Sequence, residues 1–160
     1  MPRPGQDPDD PVGRTRLTDR NGNIKEFEYN FLGYPLVIRE FTRPTDPPFY
    51  ETRMAYNADG QLLQKIFPER NRIEYTYDEG NPDRHQQGNL LRETRFLDPA
   101  RGGDQAALIT TYTYEPRFNQ IKTMTDPRGN RTTFTFDYEV SQGACSSKSP
   151  LPRSPMVHVS

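Results

Sequence analysis

Two sets of side chains recur in this chain with types and spacing that could do chemistry. The first is aromatic: Phe27, Tyr29, Tyr56, Tyr75, Tyr77, Tyr112, Tyr114, Phe134 and Phe136. Most come as pairs two residues apart, which puts both rings on one side of an extended strand. Such a row could stack against sugar rings. The second set follows directly behind the second aromatic: Asn30, Asn57, Asp78, Glu115 and Asp137. These oxygens could ligate a hard cation once per unit. Each set also has a structural role. Cross-strand aromatic pairs stabilise a sheet by roughly 0.2–1 kcal/mol each, and Asn or Asp opening a turn accepts from its own backbone. No dense oxygen cluster of calcium-loop spacing accompanies the second set. The structural roles are the expectation for both, with no metal and no cofactor.

The remaining reactive residues do not assemble. His85 lies in a polar insert and His158 near the C-terminus, both far from any Cys or acidic set of zinc-binding spacing. Cys145 is the one cysteine, so it cannot form an intramolecular disulfide, and no neighbouring feature marks it as an activated nucleophile. Asp9 and Asp10 are adjacent carboxylates in a proline-rich stretch. Arg70, Arg72, Arg128 and Arg131 flank turns, where they cap or solvate. A phosphate-cradling glycine loop is absent. The expectation is a protein without catalytic activity.

What positions these columns is an internal repeat. "DRNGNIKEFEYN" from Asp19, "FPERNRIEYTYD" from Phe67 and "DPRGNRTTFTFD" from Asp126 align without a gap. Asn23, Asn71 and Asn130 share one column, and the two aromatics and the following Asn or Asp share three more. Partial copies supply Tyr56, Asn57 and Gly60, and Tyr112, Tyr114 and Glu115. Longer steps between copies hold insertions: "TRPTDPPF" near residue 45, Asn81 through Gln87, and "DPARGGDQ" from Asp98. The pair of glycines in "YDEGNPDRHQQGNLL" is then one turn, ending at Gly88, lengthened by an insert.

Within the unit, Phe27 and Tyr29 oppose Glu26 and Glu28, and Phe134 and Phe136 oppose Thr133 and Thr135. Period-2 alternation of this kind reads as a half-buried strand. "NFLG" and "NADG" place Gly33 and Gly60 at the fourth position of a turn, and "DPRG" adds Pro127 before Gly129, as a type I turn prefers. Between the turns, "YPLVIREF", "QLLQKIF", "NLLRETRF" and "NQIKTMT" read as further strands. No segment has a 3.6-residue apolar stripe. The chain is expected to be all-β, an antiparallel meander.

Composition sets the outer bounds. A length of 160 residues suits one domain. The hydrophobic share is 31%, and with glycine counted it stays below the usual globular range of about 45–50%. A net charge of -1 offers no electrostatic case for nucleic acid. No apolar run approaches the roughly 20 residues of a membrane span. The N-terminal "MPRPGQDPDDPVGRT" lacks the apolar stretch of an export signal. Residues 1–14 are expected to be loose. So is the tail 139–160, which reads as disordered or frame-shifted sequence.

Tyr-Asp-x-x-Gly before a leucine-containing strand, then Asp-Pro-x-Gly-Asn and an aromatic strand, resembles the tyrosine-aspartate (YD) repeats of the rearrangement-hotspot (Rhs) family. "EYTYDEGNPDRHQQGNLLRETRF", "TTYTYEPRFNQIKTMTDPRGN" and "TTFTFDY" carry the resemblance, which covers residues 15–138 in about five units. It implies a stretch of the β-ribbon that, in bacterial polymorphic toxins, winds into a hollow shell around a C-terminal toxin. Teneurin-type cell-surface proteins share the repeat. It also implies a secreted or cell-surface parent, with the rest of the shell and the enclosed toxin as partners. The family's core ends in a self-cleaving aspartate segment, and "DPRG" at Asp126 is similar to part of it. Here Asn130 and an aromatic strand follow in phase with the other repeats, so Asp126 reads as a turn residue. Five units cannot close a shell, so the chain looks like a piece of a larger protein.

The function expected from the resemblance is therefore containment, shared among many residues. The alternative is a carbohydrate- or cell-surface-binding module using the repeat aromatics. Repeat units bury their faces against neighbours, so this stretch alone is expected to be marginally stable or self-associating.

Overall fold

The computed structural model describes residues 7–41, 49–102, 105–139 and 156–159. Residues 42–48 of the predicted insert, most of the tail, Cys145 and the first six residues lie outside them, as does the side chain of His158. Among the described residues there are eleven strands: β1 (Gly13–Thr18), β2 (Ile24–Tyr29), β3 (Pro35–Phe41), β4 (Tyr50–Tyr56), β5 (Leu62–Ile66), β6 (Arg72–Tyr77), β7 (Leu90–Phe96), β8 (Leu108–Tyr114), β9 (Ile121–Thr125), β10 (Arg131–Thr135) and β11 (Met156–Val159). An α-helix, α1 (Pro99–Gly102), is a single turn. Strand order follows sequence order from β1 to β11. The chain is all-β, and the meander is the one that period-2 alternation and regularly spaced turns predict.

Contacts divide the described chain into two compact units. One comprises the described residues of 1–76 and 94–108, the other those of 77–93 and 109–160. In the first, β1 pairs with β2 (Arg16↔Glu26), β2 with β3 (Glu26↔Arg39), β3 with β4 (Arg39↔Glu51), β4 with β5 and β5 with β6, all antiparallel. In the second, β8 pairs with β9, β9 with β10 and β10 with β11, also antiparallel.

A bulge recurs where the second aromatic enters. The register shifts between Glu28 and Tyr29, between Ala55 and Tyr56, and between Thr113 and Tyr114. Each shift leaves one extra residue on the return strand: Leu36, Leu63 and Lys122. Bulges bend the strand that carries the extra residue and increase local twist, here the return strand opposite each second aromatic.

Among the described residues the buried apolar side chains are Leu36, Tyr56 and Phe136, while Glu26, Asn30, Thr94, Glu115 and Thr123 are buried polar ones. Burial does not follow the aromatic side alone. Glu26 is 6% exposed, whereas Phe27 and Tyr29 on the other side are half-buried. Arg14 and Arg16, on the neighbouring strand, both reach the Glu26 carboxylate and cover it. Interstrand ion pairs thus occupy one side of the first unit. They continue as Glu28–Arg39 at 2.6 Å and Arg39–Glu51 at 2.7 Å, with Arg53 on the same Glu51 at 2.7 Å.

Two segments expected to be loose make backbone contacts with the sheet. Val12 donates to the Tyr29 carbonyl at 2.8 Å, the Asn30 amide donates to Pro8 O at 2.9 Å, and Asp9 Oδ1 accepts from the Tyr56 N–H at 3.1 Å. At the other end, Met156–Val159 pairs with β10. Neither contact has a local signature: 7–12 has no alternation, and the β11 pairing joins residues more than 20 apart.

Candidate functional site

The residues singled out by the repeat converge on one local geometry, built several times. A strand's second aromatic is followed by a residue whose N–H donates to the carbonyl four positions on, while its own carbonyl accepts from the N–H three positions on. Asn30 does this with Tyr34 and Gly33, and Asn57 with Gln61 and Gly60. The turns opened by Asp19, Phe67 and Asp126 have the same pattern, closing on Asn23, Asn71 and Asn130. This is a three-residue hairpin loop, a type I turn followed by a left-handed residue. That residue is Gly22, Gly33, Gly60 or Gly129 at φ 78–86°, and Arg70 at φ 66°.

The insert leaves this frame intact. Asp78 N–H donates to Asn89 O, and Gly88 N–H to Asp78 O, both at 2.8 Å. Gly88, not Gly80, takes the left-handed position at φ 79°. Between them Asp83 caps a 3₁₀ turn, Arg84–Gln86. The insert also braces the Glu115 turn of the same unit: Asn119 donates to the His85 carbonyl at 2.9 Å, and Gln86 to Pro116 O at 3.3 Å.

In Asn30, Asn57 and Glu115 of the oxygen column the side-chain oxygens accept from backbone N–H groups. Asn30 Oδ1 accepts from Leu32 and Tyr34 at 3.1 and 2.9 Å, and Asn57 Oδ1 from Asp59 and Gln61 at 3.2 and 2.8 Å. Asp126 Oδ1 accepts from Arg128 and Asn130, and its other oxygen from the Asn130 side chain. Those bonds hold its carboxyl below the usual range, with the Asn130 side chain the largest cause. Asp78 Oδ2 accepts from the Asn81 side-chain Nδ2 at 3.0 Å. Pro127 is exposed at the second position of its turn. Asp137 departs from the column. It opens a 3₁₀ turn, Asp137–Glu139, where Glu139 instead accepts from the Phe136 N–H at 3.1 Å.

Glu115 is the most elaborate station. At 2% exposure it accepts from the N–H groups of Arg117, Phe118 and Gln120 and from the Tyr138 hydroxyl. Burial alone would raise its pKa. The Tyr138 hydroxyl and the three amides outweigh that and hold it at about 2. Burial, and then Glu115, push Tyr138 up to about 12. One added residue in this turn puts Asn119 in the left-handed position at φ 55°. The sequence signal for it was Asn119 standing where other copies have glycine.

The aromatic column ties strands together. Tyr56 donates its hydroxyl to Pro35 O at 3.2 Å, and Tyr114 donates to Leu90 O at 3.0 Å. In each case a second aromatic secures the start of a neighbouring strand, just beyond a hairpin turn. Phe27 stacks on Tyr29 at 6.1 Å and Tyr34 on Tyr56 at 5.2 Å, while Phe136 stacks on Tyr138 at 5.8 Å. Tyr75, Tyr77, Tyr112 and Phe134 are half-buried. Comparison with protein-family models and with curated proteins returned no match.

A cleft of about 750 Å³ lies in the first unit, lined by Phe49, Tyr50, Arg53, Phe67, Arg70 and Arg101 among others. None of the nine repeat aromatics lines it. Among the described residues no group of three or more His, Cys, Asp or Glu side chains could hold a metal, and no helix is long and apolar enough to cross a membrane. His85 is exposed. Arg72 lies 3.9 Å over the Phe96 ring and pairs with Glu74 at 2.8 Å, so it packs rather than only solvating a turn.

Proposed function

We propose that this chain is a structural stretch of an Rhs-type β-ribbon, contributing wall to a shell that encloses a C-terminal toxin, with no catalytic activity of its own. The observation that carries the reading is the repetition of one hairpin turn. Its side chains are spent on the ribbon itself: turn oxygens on turn amides, and tyrosine hydroxyls on the carbonyls of neighbouring strands. Containment requires such uniform backbone geometry over many units and no special residue in any one of them. The implied partners are further ribbon and the enclosed toxin, and the parent protein would be secreted or at a cell surface.

Sequencing the DNA on both sides of the reading frame tests this. Further Tyr-Asp repeats upstream, with repeats or a toxin domain downstream in any frame, are expected. Unrelated flanking genes would refute it.

The second reading, a carbohydrate- or cell-surface-binding module, draws on the repeat aromatics, of which Tyr75, Tyr77, Tyr112 and Phe134 keep part of their rings accessible. Alanine at Tyr75 or Tyr112 separates the two: lost folding supports the wall, and lost glycan binding by a folded chain supports the module.

A further inference from the structure

The turn between β5 and β6 breaks the repeat's own chemistry at two positions, and both residues line one cleft. In the matching turns the opening residue is Asp19, Asn30, Asn57 or Asp126, whose side-chain oxygen accepts from turn amides. Here it is Phe67, which has no such oxygen. At the left-handed position those turns have glycine, whereas this one has Arg70 at φ 66°. The backbone is the same all the same: Arg70 N–H donates to the Phe67 carbonyl and Phe67 N–H to Asn71 O, both at 2.9 Å. An arginine at that backbone angle is strained where glycine would not be. Two stabilising features of the repeat are given up in a single turn, and such local exceptions concentrate where a chain binds something.

Phe67 and Arg70 line the cleft of about 750 Å³ together with Phe49, Tyr50, Arg53 and Arg101. That volume suits a small molecule. The strands that frame it, β4 and β5, are each paired on both sides, so the cleft belongs to the interior of the sheet and not to a free edge. Its three guanidinium groups meet two carboxylates, Glu51 and Glu69. Glu51 is held at 2.7 Å by Arg39 as well as by Arg53. Arg101 stands 3.8 Å from Asp98, beyond hydrogen-bond range. Arg70 is exposed and makes no ion pair with a described residue. The lining therefore carries positive charge in excess.

We propose that this cleft binds a small phosphate carried on a planar ring, as in a nucleoside phosphate or a phosphorylated aromatic side chain. Guanidinium groups match phosphate oxygens as forks, and three of them offer more donors than the two oxygens of a carboxylate accept. The ligand's ring packs on Tyr50, which is 49% exposed. Phe49 and Phe67 already have Arg39 and Lys65 over one face. Binding here is independent of the wall reading, since a small molecule and not further ribbon occupies the cleft.

The test uses the full chain, with adenosine monophosphate, adenosine, O-phosphotyrosine, tyrosine and inorganic phosphate as probes in titration calorimetry. At least one ring phosphate should bind about tenfold more tightly than inorganic phosphate, because a stacked ring adds to the anion contacts. Its unphosphorylated counterpart should bind more weakly, and its own affinity should fall as salt rises. The tighter of the two ring phosphates names the source. Arg70→Gly should raise the urea midpoint, because glycine relieves the left-handed strain. The same variant should weaken the ring phosphate about tenfold, the loss expected of a hydrogen bond between charged groups. An Arg70 with a structural role alone would not move stability and affinity in opposite directions. The proposal is overturned if neither ring phosphate exceeds inorganic phosphate, if affinity is unchanged in Arg70→Gly, or if that variant has a lower urea midpoint.

Discussion

Gly60 and Gly33 occupy the same turn position, yet only one of them is closed in by a ring. Both have left-handed backbone, at φ 78° and 83°. A Cβ on Gly33 would meet nothing within 4 Å, whereas on Gly60 it would lie 2.6 Å from Cε2 of Tyr34. Alanine at either site bears the left-handed penalty, about 1–2 kcal/mol. At Gly60 the Tyr34 ring must also move. It is 41% exposed and free to swing outward, but doing so ends its stacking on Tyr56, worth about 0.5–1.5 kcal/mol. Gly33→Ala should therefore cost about 1–2 kcal/mol and Gly60→Ala about 0.5–1.5 kcal/mol more. Urea unfolding followed by far-UV and near-UV circular dichroism measures both. In a Tyr34→Ala background the two costs should converge. Equal costs in the parent chain, or a difference that survives removal of Tyr34, would refute the assignment of the excess to the ring.

Four more outcomes are expected. Glu115 has a folded pKa of about 2, below its ordinary 4.5, so its contribution is present above pH 4.5 and lost as pH falls towards 2; urea midpoints of Glu115→Gln should vary less with pH across that window than those of the parent. Spectrophotometric titration should show Tyr138 ionising near pH 12, with Tyr56 and Tyr114 also raised by burial, and Glu115→Gln should move the Tyr138 transition to lower pH. Tyr56→Phe and Tyr114→Phe each remove one hydroxyl bond to a carbonyl and should cost about 1 kcal/mol in chemical denaturation, while Tyr112→Phe serves as a comparison. Replacing residues 79–87 by two turn residues keeps the Asp78–Gly88 and Asp78–Asn89 bonds and shortens the loop, a gain of about 1 kcal/mol set against the lost bonds to Pro116 and Asn119. The shortened chain should fold with stability close to the parent, and loss of the β8–β9 amide protection pattern would contradict it.

The sequence by itself determined the local architecture, because each turn encodes its own geometry within five residues. Asn30 with Gly33, Asn57 with Gly60 and Asp126 with Gly129 announce both the oxygen that closes the turn and the glycine that tolerates a left-handed backbone. Alternation in "KEFEY" and "TTFTF" fixed the strands between them. Even the insert was legible, since Tyr77–Asp78 and Gly88–Asn89 bracket it. What the tertiary structure alone decided lies between units of sequence. Which neighbours cover Glu26, how Arg39 bridges two strands, and where the Tyr56 and Tyr114 hydroxyls reach depend on register and on the bulge before each second aromatic. The docking of Asp9 on Tyr56 joins residues 47 apart, and no local propensity specifies a contact over that span. Turn chemistry is a property of adjacent residues. Burial and charge pairing are properties of strands brought together by those turns, so they emerge only once the sheet has formed.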